Sequence, residues 1–174
     1  MKLLLANALI LPLIDYVCPT YCDVSQFLDS KINKMLNSTL RFVYGLKRHQ
    51  HITPFRKKAH WLNSYLRRIY LCLTTFFHIL FTEKPSYLYK LFPETEDGPR
   101  RSARNATNLL PLLPIPNCVP LSKSFVFFSI QKFNLLPNYI KNSPSVNAFK
   151  SRLFDFLHSN QGALLFQPNI NPAI

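Results

Sequence analysis

Residues 64–82 read SYLRRIYLCLTTFFHILFT, and the placement of charge within them decides the fold. Ser64 suits an N-cap, Arg67 and Arg68 fall in the first turn, and Ile69 to Phe81 is apolar nearly all round. A helix of that kind is either buried or inside a membrane. Its uncharged run of about 14 residues falls short of the roughly 20 that a span needs, so the stretch reads as a core helix from about Tyr65 to Thr82.

Upstream, Asp23 to Gly45 carries a second helical pattern. Leu28, Ile32, Met35, Leu36, Leu40 and Val43 recur at three- and four-residue steps and form one face. Asp23 can cap this helix with Gln26 three residues on, and Gly45 suits its end. Thr53-Pro54 marks the start of a short helix through Ala59. Downstream, Pro85 opens another short helix over Ser86 to Phe92. Pro93 to Pro120 reads as an extended connector, rich in proline and holding the acidic cluster Glu94, Glu96 and Asp97.

Ser122 to Phe133 suits a helix or a strand pair, since Phe125-Val126-Phe127-Phe128 fits either. Ser145 caps a last amphipathic helix with Phe149, Leu153, Phe156 and Leu157 on one face, and the tail from Ser159 is expected to fray. The class is mainly α: a helical, bundle-like region over 1–92, a Pro-rich linker over 93–121, a helical segment over 122–158 and a disordered tail over 159–174.

Charge is distributed unevenly. Between Ser30 and Thr82 stand ten Lys and Arg residues and no Asp or Glu, within a 174-residue chain of net charge +13. A solvated helical surface usually mixes both signs, so a one-sign stretch points to a polyanion, because cations that neutralise phosphates release condensed counterions. With three glycines in all, no Gly-rich phosphate cradle can be built. The acids are few and scattered, and no two aspartates are adjacent, so no catalytic residue is assigned. Cys18 and Cys22 are spaced C-x3-C and His49 with His51 forms H-x-H, but buried thiols and surface imidazoles explain them equally, and no metal ligand is assigned.

The first 14 residues, MKLLLANALILPLI, imitate a secretory signal but lack a small-x-small cleavage pair, and they are too short to span a bilayer. By pattern alone, signal and core helix both remain open. The sequons Asn37-Ser38-Thr39 and Asn105-Ala106-Thr107 matter only for a secreted chain.

Read in order, smaller motifs form a series. Leu11-Pro12-Leu13-Ile14-Asp15-Tyr16 is followed by Leu40-Arg41-Phe42-Val43-Tyr44-Gly45-Leu46 and His51-Ile52-Thr53-Pro54. Trp61-Leu62 precedes Arg67-Arg68, Pro85-Ser86-Tyr87-Leu88 leads to Phe92, and Arg101-Ser102-Ala103-Arg104 comes next. Ser124-Phe125, Phe133-Asn134-Leu135-Leu136-Pro137, Ile140, Ser143 and Phe149-Lys150 close it. Over roughly residues 3 to 157 the series resembles the region downstream of the catalytic palm in reverse transcriptases of jockey-like non-LTR retrotransposons. Phe133 stands where that family usually has Trp.

The resemblance implies an RNA-directed DNA polymerase whose palm, with its Mg²⁺-holding aspartates, and whose endonuclease precede residue 1. The chain itself then has no cofactor, and Asp15 is not a catalytic aspartate. The resemblance also makes Leu3 to Tyr16 an internal helix, which favours an intracellular location, in nucleus or cytoplasm, over secretion. The expected partners are RNA and DNA as template and primer, together with the palm and endonuclease, and no membrane. On that reading Arg41, Lys47, Arg48, Arg56, Lys57, Lys58, Arg67 and Arg68 contact backbone phosphates. Trp61 and Tyr65 are the stacking candidates, although Trp61 also suits a core anchor. Two other readings are an inactive, degenerate transposon remnant and a small secreted or membrane-surface basic protein.

Overall fold

The computed structural model describes residues 1–16, 18–22, 24–92, 124–159 and 166. The connector expected at 93–121 and nearly all of the tail lie outside them. The described residues hold no strand, and the chain is mainly α. In order they form α1 (Lys2–Leu5), a π-helical segment (Ala6–Ile10), α2 (Leu11–Asp15), a 3₁₀ turn (Cys18–Tyr21) and α3 (Gln26–Tyr44). Then come α4 (Thr53–Lys58), α5 (Ser64–Thr82), α6 (Ser86–Tyr89), α7 (Phe125–Asn134), α8 (Asn138–Lys141) and α9 (Val146–His158).

The first three segments run on as one helical rod. Pro12 has no N–H for the carbonyl four residues back, and its ring crowds that carbonyl, so the turn ahead of it widens. The rod bears out an N-terminal helix over this region.

α5 organises the interior. Leu66, Ile69, Cys72, Leu73, Phe76, Phe77 and Ile79 are all buried, so burial is spread around the helix as its charge-free run implied. α9 lies along it and presents Phe149, Leu153, Phe156 and Leu157. The rings of Phe77 and Phe149 stack with centroids 4.0 Å apart and planes within 3°. α7 closes the other side. The Phe125–Phe128 run is helical, and its helix buries Ser129, Ile130 and Phe133, the Phe133 ring lying 5.3 Å from that of Phe76.

A second, smaller core forms between the N-terminal rod and α3, where Ala6, Leu11, Leu36, Leu40, Ala59 and Trp61 meet. Only part of the expected α3 stripe is buried. Leu36 and Leu40 are inside, with Thr39, while Leu28 and Met35 are 46% and 45% exposed. Among the described residues α3 packs against the rod, α4 and α5, and the edge of its stripe stays in solvent.

Several helix ends differ from expectation. α3 is capped by Ser25, whose hydroxyl accepts from the Leu28 N–H, and begins at Gln26; Asp23 lies outside the described residues. Gly45 ends it at φ 64°, the left-handed conformation that suits glycine. Ile52, not Thr53, precedes α4, and no side chain caps it. Asn63 caps α5 by accepting from the Leu66 N–H at 2.7 Å, because Ser64 is engaged elsewhere. α6 stops at Tyr89, short of Phe92. Ser145 caps α9 as expected, accepting from the Ala148 N–H. No described helix is long and apolar enough to cross a membrane.

Phe149 is completely buried against Phe77 and Phe133. Phe149→Ala is expected to destabilise the chain by about 3–5 kcal/mol in urea unfolding. Phe154→Ala, at the half-buried rim against Tyr70, should cost less than half as much.

Candidate nucleic-acid interface

The acid-free stretch is flanked by Asp29, and the rod ends at Asp15; both carboxylates turn toward the start of α5. Arg67 donates from Nε to Asp15 Oδ1 at 2.6 Å and from Nη2 to Asp15 Oδ2, a bidentate pair. Arg68 donates from Nη1 to Asp29 Oδ1 at 2.6 Å. The same carboxylate accepts from Ser64 Oγ and from Asn33 Nδ2. Asn33 in turn uses its Oδ1 to accept the Ser64 N–H at 3.2 Å, so α3 side chains satisfy the first turn of α5. The Arg68 side chain is only 5% exposed. These two arginines, expected to face phosphate, are held by acids inside the protein.

Arg41 and Arg56 are also partnered. Arg41, in the last turn of α3, donates to the carbonyls of Lys47 and Gln50. The turn is closed further by the Lys47 N–H to Gln50 Oε1 at 2.8 Å. Arg56 reaches Asn37 Oδ1 at 2.6 Å, and burial lowers its pKa from the ordinary arginine value. Their positive charge stays near the surface, but their geometry is fixed by the fold.

Lys47, Arg48, Lys57 and Lys58 are exposed. The first two stand on the turn that Arg41 holds, and the others end α4, where cations suit the negative helix terminus. Of the stacking candidates, Trp61 is a core anchor: it is buried and its indole N–H donates to Asn7 Oδ1 at 2.9 Å. Tyr65 is half-buried, with the Arg68 guanidinium 5.7 Å from its ring centre. Trp61 is thus enclosed and Tyr65 half-enclosed.

The outward face of α3 lies outside the expected set of contact residues. Phe27, Lys31, Lys34, Ser38 and Phe42 follow one another at three- and four-residue steps, and Phe27, Lys31 and Phe42 are well exposed.

The C-x3-C pair also has an unexpected neighbour. Cys72 of α5 lies within hydrogen-bonding reach of both Cys18 and Cys22, and all three are buried. Hydrogen bonding to Cys18 and then to Cys22, with burial, raises the Cys72 thiol well above the usual range. Protonated thiols of this kind are poor nucleophiles. Cys22 also donates to the Pro19 carbonyl at 3.1 Å. Among the described residues no group of three His, Cys, Asp or Glu side chains is arranged to hold a metal ion.

Comparison with known proteins returns no matching family model, no similar curated protein and no similar solved structure.

Two measurements check these assignments. Asp29→Ala leaves the buried Arg68 guanidinium without its counter-charge and should cost about 3–5 kcal/mol in chemical unfolding. Asp15→Ala uncovers the more exposed Arg67 and should cost about 1–2 kcal/mol; equal losses would contradict the burial argument. Separately, Cys18, Cys22 and Cys72 should resist iodoacetamide in the folded chain and react after unfolding. Mass mapping that finds Cys72 alkylated under native conditions refutes a buried, protonated thiol.

Proposed function

We propose that this chain binds nucleic acid through phosphate contacts and performs no polymer chemistry of its own. The observation that carries the reading is the separation of charge around α3 to α5. Asp15 and Asp29 are taken up by Arg67 and Arg68. Lys31, Lys34, Lys47, Arg48, Lys57 and Lys58 remain exposed on a stretch that contributes no acid. A surface of that kind attracts a polyanion and is indifferent to its sequence.

The motif series, from Leu11-Pro12 through Asp15-Tyr16 to Phe149-Lys150, supports a more specific origin: the thumb and following segment of a jockey-like retrotransposon reverse transcriptase. In that setting the phosphates belong to an RNA template or DNA primer, and Mg²⁺ and the polymerase aspartates belong to a palm outside this sequence. The candidate set for phosphate contact is then Lys47, Arg48, Lys57 and Lys58, with Arg41 and Arg56 adding field from fixed positions.

A second reading, an inactive transposon remnant, has one observation in its favour. Leu4, Leu9 and Leu13 on the N-terminal rod are exposed, as a face separated from its covering domain would be. The other apolar surface that this reading exposes, along Ile69 to Phe81, is mostly buried against α7 and α9.

Fluorescence anisotropy with a labelled RNA–DNA hybrid over a salt series tests the proposal. Four phosphate contacts on a duplex correspond to a log–log salt slope of about −3.6, roughly a hundredfold loss of affinity from 50 to 200 mM salt. Replacing Lys47, Arg48, Lys57 and Lys58 together by Gln should remove most of that slope while leaving the thermal unfolding curve in place. An affinity that does not change with salt sinks the reading.

A further inference from the structure

We infer that the outward face of α3 is a track for single-stranded nucleic acid, with Phe27 and Phe42 as base-stacking platforms and Lys31 and Lys34 as backbone contacts. The inference rests on the nucleic-acid reading above and assigns it a surface and a strand state.

At about 100° per residue, Phe27, Lys31, Lys34, Ser38 and Phe42 fall within one narrow arc of the helix. Leu36, Thr39 and Leu40 lie on the opposite side and are buried. The two rings are 67% and 69% exposed, which is unusual for phenylalanine and is not explained by packing. The rise of the helix sets them roughly 22 Å apart.

Each ring already carries a lysine cation. Lys31 Nζ sits 4.3 Å from the Phe27 ring centre, and Lys2 Nζ sits 5.1 Å from that of Phe42. Ring and cation together match what a nucleotide offers, a flat base joined to a phosphate. Leu28 and Met35 border the arc and add apolar surface.

The only acid of α3, Asp29, is on the inward side and bound to Arg68 and Ser64, so nothing on the outward face repels phosphate. Past Gly45 the positive surface continues into Lys47 and Arg48. This continuity of charge favours a nucleic-acid strand over an apolar protein partner, for which the two lysines between the rings would be a desolvation cost.

The rings specify the strand state. Bases in a duplex are already stacked on one another and offer no face to a side chain, whereas every unpaired base does. Stacking and backbone charge do not read the 2′-hydroxyl, so RNA and DNA strands are expected to bind alike.

The experiment uses the full chain and labelled oligo-dT and oligo-U of about 15 nucleotides, with a hairpin duplex as the comparison. Phe27→Ala/Phe42→Ala should weaken binding to both single strands by at least about tenfold and leave duplex binding unchanged. Lys31→Gln/Lys34→Gln should weaken all three and flatten the single-strand salt slope by about 1.4. All four positions are exposed, so the melting curves should match the parent chain, and only variants that do so are compared. If the parent binds nucleic acid and both double variants bind as it does, the α3 track is overturned while the broader reading stands. If the parent binds no strand of any kind, the broader reading falls and takes the track with it. If the phenylalanine variant changes only self-association in sedimentation, the face docks a second copy and the track is overturned.

Discussion

Two arginines side by side at the start of α5 impose the constraint from which much of the structure follows. Arg68 is almost fully buried and Arg67 largely so, and a guanidinium cannot shed its charge to escape that environment. Each therefore needs a carboxylate brought to it by another part of the chain. Asp15 arrives from the end of the N-terminal rod and Asp29 from the first turn of α3. The two pairs fix where the rod and α3 sit against α5, and Asn33 and Ser64 join the second pair to the backbone of the helix. Whether such buried pairs add net stability is secondary to their geometry. Removing one partner leaves a charge stranded in the interior, and that penalty holds the arrangement in register.

α5 links two cores of different size. Its middle and end lie within the larger cluster with α7, α8 and α9, and its polar first turn meets the N-terminal rod and α3. This explains the composition of the helix along its length. Where it meets aromatic side chains it is apolar around most of its circumference. Where it meets α3 it carries Ser64, Arg67 and Arg68. The contact of Cys72 with Cys18 and Cys22 closes the seam, since the 3₁₀ turn after the rod lies against the same helix.

The helical class and most helix positions were legible in the sequence, because periodic burial of Leu, Ile and Phe leaves a local signature. α9 is the clearest case, with its cap and all four core positions read correctly. Caps were harder to read. Ser64 looked like the cap of α5, yet its hydroxyl bonds Asp29 and leaves capping to Asn63. Local sequence cannot express that choice, because the competing acceptor lies 35 residues away. The same holds for the site. Arg67 and Arg68 look like any other basic pair until partners 52 and 39 residues distant claim them. Trp61 reads as a stacking residue or a core anchor until Asn7 is found against its indole N–H.

The long-range pairing of Arg67 and Arg68 also bears on the surface around them. Pairing Arg67 with Asp15 and Arg68 with Asp29 removes equal numbers of opposite charges from the surface. Among the described residues, exposed positive charge remains on α3, on the turn after it and at the end of α4. The fold thus pairs Asp15 and Asp29 with arginines at the start of α5, while Lys31, Lys34, Lys47, Arg48, Lys57 and Lys58 stay exposed.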